Sequence, residues 1–509
     1  MLKKLITLVV PLMLMGATSL ATPGCIEGGQ STPTPPAAEE DLSPVSNLSQ
    51  EERIFFLYRT HFGFKTSELQ RLNQMGYEDY LDWMLELNPD PTLEQEALAA
   101  TVSDPDFPNS TEIARWWEYM MVHNENPFQE LLALFWHDHF ATSTEVLDAQ
   151  SMYWMFDHIN LWRFNGTDNL RDLLYKMSID WTMLIWLDGY VSTANAPNEN
   201  FAREFWELFT LGADNGYSQA DIVEASRAFT GYRRILVNDQ AGPGRDQFVM
   251  TFQPNRHDNG TKDIFGLQLF GNGQQEYQDM VDLTLANRPV AEFIVTKIWE
   301  QFVYTNPSQE LISTLATELR RSNYDLKALF KRIFLSTAFY SDRAKEGIIK
   351  SPVEHHIGFM RTTGLKLSPS RLDSSLNDTG QRPSQPPTVN GWPSGEFWLS
   401  SQAMLERTNF LRDCVYFSHE SAQSGLDVGL SLVPSNRSQA DEVVDHIAWL
   451  LQVQLQPDQR QECIDYLNTD RNGSGNFDDP WDFNDASDRD KKIRGLLYIM
   501  GQHPTYQIR

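Results

Sequence analysis

Asn198-Glu199-Asn200-Phe201-Ala202-Arg203-Glu204-Phe205-Trp206-Glu207-Leu208-Phe209-Thr210-Leu211-Gly212 decides the fold. Phe201, Phe205 and Leu208 fall on one stripe of a helix, and Ala202, Trp206 and Phe209 on the next. An apolar arc this wide predicts a largely buried helix. Yet Glu199, Arg203 and Glu207 stand at i, i+4 and i+8, the spacing of stacked ion pairs. A core tolerates such charges only when they are paired, and they are read here as structural ion pairs. Glu204 lies three residues before Glu207. Gly212 ends the helix in the manner of a C′ glycine. Ser218 with Asp221 then forms a capping-box pattern that opens a second helix, closed by Gly231.

Working outward, helical periodicity dominates from about residue 51 to 230 and resumes from about 275 to 364 and beyond 397. Between them, Arg234-Ile235-Leu236-Val237 and Phe248-Val249-Met250-Thr251-Phe252 are β-type runs joined by a Gly/Pro/Asp-rich turn. The expected class is mainly α: a large multi-helix body with a small β-hairpin excursion near 232–266. Residues 366–395 are rich in Pro, Ser and Asn and read as a long ordered loop. The expected organisation is 1–24 export signal, 25–48 tether, 49–364 main helical body and 365–509 C-terminal helical part.

The 509 residues are 41% hydrophobic, enough to bury a large core. Eight of the fourteen Trp fall between Trp116 and Trp206, which predicts an aromatic core there. A net charge of −28 opposes nucleic acid and anionic membrane surfaces and favours divalent cations or solubility.

Lys3 and Lys4 precede an apolar run from Leu5 to Met15, the form of an export signal. Cleavage after Ala21 and lipidation at Cys25 both fit. The polar tether after Cys25 favours the lipoprotein, and thus a membrane attachment made only through a lipid anchor. The alternative is a periplasmic or secreted protein. With Cys25 acylated, Cys414 and Cys463 remain, and a disulfide between them is expected against free buried thiols.

Several blocks carry chemistry. Asn126-Pro127 with Gln129 starts a helix that runs into His137-Asp138-His139. Two histidines at i, i+2 point about 200° apart, so one metal between them requires local unwinding. The bland reading packs one His in the Trp-rich core and uses the other as a C-terminal cap. His257-Asp258-Asn259-Gly260 reads as a turn in which Asp258 bonds its own backbone. Convergence of His137, His139, His257 and Asp258 with Glu204 and Glu207 would supply ligands for a divalent transition metal, or a metal-free acid–base pair. His137, Glu204, Glu207, His257 and Asp258 are the catalytic candidates. His137, His139, His257 and Asp258 are the metal candidates. Asn468, Asp470, Asn472, Asn476 and Asp479 sit at positions 1, 3, 5, 9 and 12 of a Ca²⁺-loop pattern with Gly473 at position 6. Asn at position 1 and Asp at 12 depart from it. Trp392, within Asn390-Gly391-Trp392-Pro393-Ser394-Gly395, is either a ligand-facing indole or a plug against the helical core. No GxSxG, HExxH, Walker or dinucleotide fingerprint occurs.

Taken together, the 198–212 and 217–232 segments, the Phe135–Phe140 block, His257–Lys262, Asn390–Gly395 and Gln502–Gln507 resemble the bacterial domain of unknown function 1800 family over about residues 50–509. Ser218 and Tyr232 depart from the family's usual Thr and Trp. Arg288 stands where members often carry His. The resemblance implies an exported, mainly helical protein of unassigned activity with a co-exported sulfatase-like protein as partner. Two functions remain open: an enzyme acting on an extracytoplasmic polymer or ester, and a non-catalytic envelope module working through Trp392 and its loop.

Overall fold

A computed structural model describes residues 40–237, 247–287, 289–416, 427–469 and 481–509. Helices carry the fold, beginning with Gln50–Thr60 and ending with Ala486–Gly501. Their starts follow local chemistry. Capping boxes close at Ser49/Glu52, Asn109/Glu112, Ser218/Asp221 and Ser351/Glu354, so two orphan N–H groups are satisfied reciprocally at each. Asn126 does not cap its helix through its side chain. Its amide donates instead to the Met84 carbonyl, while Pro127 takes the first helical position.

Two small antiparallel hairpins complete the secondary structure of the described residues. β1 (Tyr232–Val237) pairs with β2 (Gln247–Phe252) from Tyr232↔Phe252 to Val237↔Gln247. β3 (Lys262–Ile264) pairs with β4 (Leu267–Leu269). The class is therefore mainly α with a small β excursion, as the patterning predicts.

One buried apolar cluster runs from Leu48 to Tyr506. At its centre Phe128 lies 5.8 Å from Phe302 and from Phe334, edge-to-face with the latter. Six of the eight tryptophans between 116 and 206 are buried, so that region is core. Buried charge is handled by pairing. Nε of Arg163 donates to both oxygens of Glu130 at 3.0 Å, with both side chains fully buried.

Three expectations need correction. The Glu199–Glu207 helix is amphipathic rather than largely buried. Only Phe201, Ala202, Phe205 and Trp206 are buried, while Glu199 and Arg203 are about two-fifths exposed. The segment 366–395 is not one loop but holds the helix Pro369–Thr379, which starts with Pro at its first turn, buries Leu372 and Leu376, and stops at Gly380 in the left-handed region. Cys414 and Cys463 form no bridge; both are buried free thiols. No helix among the described residues is long and apolar enough to cross a membrane.

Candidate functional site

The Pro127–His139 helix stays helical through His139, so its two histidines diverge as the geometry requires. His137 is fully buried. Its ring lies 5.4 Å from Trp117, 5.2 Å from His158 and 5.7 Å from Trp392, and neither ring nitrogen has a hydrogen-bond partner. Burial, helped by His158, pushes it well below the usual imidazole range. His139 turns the other way and bonds the Phe209 carbonyl through Nε2 at 3.0 Å. Burial and the Lys297 cation hold it down to about 3. Two neutral imidazoles facing apart do not chelate one ion.

The chemistry at this helix end belongs to the residue between them. Oδ1 of Asp138 accepts the main-chain N–H of Trp392 at 2.7 Å, 254 residues away in sequence. Gly391 has φ +80° and lies so close that a Cβ there would run into both the Asp138 carboxylate and its carbonyl oxygen. Burial pushes the Asp138 carboxyl up to about 6, against the opposing pull of the Trp392 N–H and Lys297. Trp392 itself is 6% exposed and packs on His137, so it acts as the plug and not as a free platform.

Asp138 opens onto a cleft of about 660 Å³. The run from Trp392 to Glu396, with Trp398, lines it. Phe135, Lys297, Glu354 and Arg509 also line it. Nε of Arg509 meets Glu354 at 2.6 Å, and its other nitrogens donate to the Arg59 and Gln301 carbonyls. This fixes a paired charge in the lining. Phe397, 64% exposed, is next in sequence to the lining residues Glu396 and Trp398.

The other candidates lie elsewhere. Nε2 of His257 meets Glu276 at 2.9 Å, and its Nδ1 donates to the Thr230 carbonyl at 2.9 Å. Lys262 ion-pairs with the second Glu276 oxygen, and all three side chains are fully buried. Asp258 accepts from Arg227 at 2.8 Å and from the Gly260 N–H at 2.8 Å, the turn bond its sequence predicts. Arg227 is shared with Glu224 at 2.6 Å. These are closed ion-pair networks. Glu276, the centre of one, lies outside every sequence block considered; only its place at the start of the Glu276–Asn287 helix could have marked it.

Arg203 pairs with Glu199 at 3.1 Å and with Gln219, and no ion pair joins it to Glu207 among the described residues. Glu204 is raised by partial burial and by Glu207. The six residues expected to converge are thus divided among separate environments. Among the described residues no group of three or more His, Cys, Asp or Glu could hold a metal ion. In the expected Ca²⁺ loop, Asn468 lies in the helix Pro457–Thr469. Asp470, Asn472, Asn476 and Asp479 lie outside the described residues, as do Arg288 and Cys25 with the export signal.

Sequence reasoning passed over a second His-centred group. His158 bonds Asp180 through Nδ1 at 2.8 Å, while its Nε2 accepts from Trp162 at 3.1 Å and meets Thr142 at 3.0 Å. A hydroxyl–imidazole–carboxylate chain has the order of a catalytic triad. Here Thr142 and His158 are fully buried and Asp180 caps the Trp181–Trp186 helix, so the chain ties elements together.

Compared with known proteins, residues 55–508 match the model of a family described as protein of unknown function, DUF1800. No curated protein and no solved structure matches.

Proposed function

The chain belongs to the DUF1800 family, and from that premise we propose that it is an exported envelope protein that binds an extended, hydroxyl-rich polymer in the Asp138–Trp392 cleft. The observation that carries this reading is the cleft itself: large, open and mixed in charge, with the exposed Phe397 next in sequence to its lining residues Glu396 and Trp398. Sugar rings combine apolar faces with hydroxyl edges, so they suit a surface offering an aromatic face beside paired charges. The basic, apolar N-terminus supports export, and Cys25 with its polar tether supports a lipid anchor. A co-exported sulfatase-like protein remains the partner implied by the family resemblance, and anionic sulfate or carboxylate groups on such a polymer would meet Lys297. The test is binding of soluble oligosaccharides and solubilised cell-wall fragments by the mature protein, with Phe397→Ala as the control. Loss of about tenfold in affinity is expected, in the range of one stacked ring.

One observation favours a second, enzymatic reading. A carboxyl held near 6 at the wall of a cleft is poised to give and take a proton near neutral pH. On this reading Asp138 acts as general acid or base on the bound polymer. Reducing-end release from the bound ligand, absent in Asp138→Asn, tests it. The divalent transition metal and Ca²⁺ expected from the sequence stay proposals, to be settled by elemental analysis of the full chain.

A further inference from the structure

A second cavity, of about 140 Å³, opens where the helices Ser110–His123, Pro352–Thr363 and Pro369–Thr379 meet. Its lining includes Arg115, Glu118, His123, Met360, Lys366 and Leu372. Glu118 is 1% exposed, and neither of its carboxylate oxygens has a hydrogen-bond partner. A buried carboxyl left without partners costs on the order of 1–3 kcal/mol, so its presence in a cavity wall asks for a ligand. Burial, reinforced by Asp373, drives Glu118 toward its protonated form, which offers one donor and spare acceptors.

The rest of the cavity narrows the ligand. Met360 and Leu372 give an apolar wall. Lys366 is an exposed lining residue, and Arg115, 3.5 Å from Asp373 and bonded to the Ser370 hydroxyl, adds a second cation. Nδ1 of His123 donates to the Tyr119 carbonyl at 2.9 Å, which leaves Nε2 as an acceptor. Two cations, methyl and methylene groups and a buried lone carboxyl in one lining describe a short amphipathic acid.

We propose that this cavity binds a small carboxylate carrying a hydroxyl or amide at its far end. The carboxylate sits against Lys366 and Arg115, the chain lies on Met360 and Leu372, and the far group pairs with Glu118. This site is separate from the Asp138 cleft and does not depend on the reading of that cleft.

The test compares 4-hydroxybutyrate with butyrate as probes, by calorimetry and saturation-transfer NMR on the mature protein. The hydroxylated probe is expected to bind roughly tenfold tighter, because butyrate leaves Glu118 unpaired. Lys366→Ala changes an exposed residue and is expected to weaken both probes by roughly fivefold or more. Glu118→Leu is expected to erase the preference for the hydroxyl. If that variant fails to fold, the probe comparison and Lys366→Ala still decide. Absence of binding by both probes, equal affinities in the parent protein, or indifference to Lys366→Ala overturns the proposal.

Discussion

Asp138 and Trp392 are joined by one hydrogen bond, carboxylate to main-chain N–H at 2.7 Å, and that bond ties the end of a core helix to the loop walling the cleft. The approach is close enough to require glycine before the tryptophan. Gly391→Ala is expected to cost about 1–3 kcal/mol from the left-handed backbone alone, and more from the collision with Asp138. Denaturant unfolding gives the cost. Faster hydrogen exchange at the Trp392 amide would show that the loop has lifted, whereas unchanged stability and protection would contradict the role given to this contact.

Asp138 also makes stability depend on pH in a known direction. Its carboxyl is raised from 3.8 to about 6, so between those values the folded chain holds a proton that the unfolded chain releases. Stability contributed by this group is therefore greatest at low pH and falls as pH rises through that window. Asp138→Asn keeps an acceptor for the Trp392 N–H but does not titrate. Relative to the parent, the variant is expected to gain on the order of 2–3 kcal/mol between pH 4 and pH 7. Urea melts of both proteins across that range check it; a pH-independent difference would show that Asp138 titrates normally.

Much of the fold was legible because caps and periodicity are local. Ser218 with Asp221 closed the box its spacing predicts, and the runs at 234–237 and 248–252 became β1 and β2. The helix Pro369–Thr379 was hidden by its Pro/Ser-rich surroundings, although Ser368-Pro369 and Gly380 are its start and stop signals. The site was less legible. Asp138 stood in plain view between two histidines, but its environment is set by a segment 254 residues away, which no spacing rule reaches. Histidine and glutamate drew attention by type, whereas burial decided their roles: His137 became core, and His257 became one corner of a closed network with Lys262 and Glu276. The charges of 199–207 misled for the opposite reason, since the helix lies at the surface and leaves Arg203 half in water.

The buried Arg163–Glu130 pair gives a sharp stability test. Glu130 also accepts from Trp117 at 3.0 Å and Asn124 at 2.7 Å, so its charge is surrounded by donors. Glu130→Gln leaves the partly exposed Glu94 as the carboxylate paired with Arg163, beside the neutral Asn160, and is expected to cost about 3–5 kcal/mol. A loss below about 1 kcal/mol by calorimetric or denaturant unfolding would mean that water reaches the pair.

Cys414 and Cys463 are each expected to titrate as a free thiol in the denatured, unreduced protein, and slowly in the native state. Burial pushes Cys463 up to about 11 and Cys414 higher, so little thiolate is present near neutral pH. Recovery of thiol only after reduction would restore the disulfide.

The most direct test of the cleft is a titration of the protein with soluble oligosaccharides and cell-wall fragments, followed by NMR with Asp138→Asn and Phe397→Ala measured alongside. Saturable binding is expected, with shifts centred on Lys297, Trp392 and Phe397 and affinity weakened by about tenfold in Phe397→Ala. Saturable binding that leaves those residues unmoved and survives Phe397→Ala, or no binding to any fragment, would contradict it.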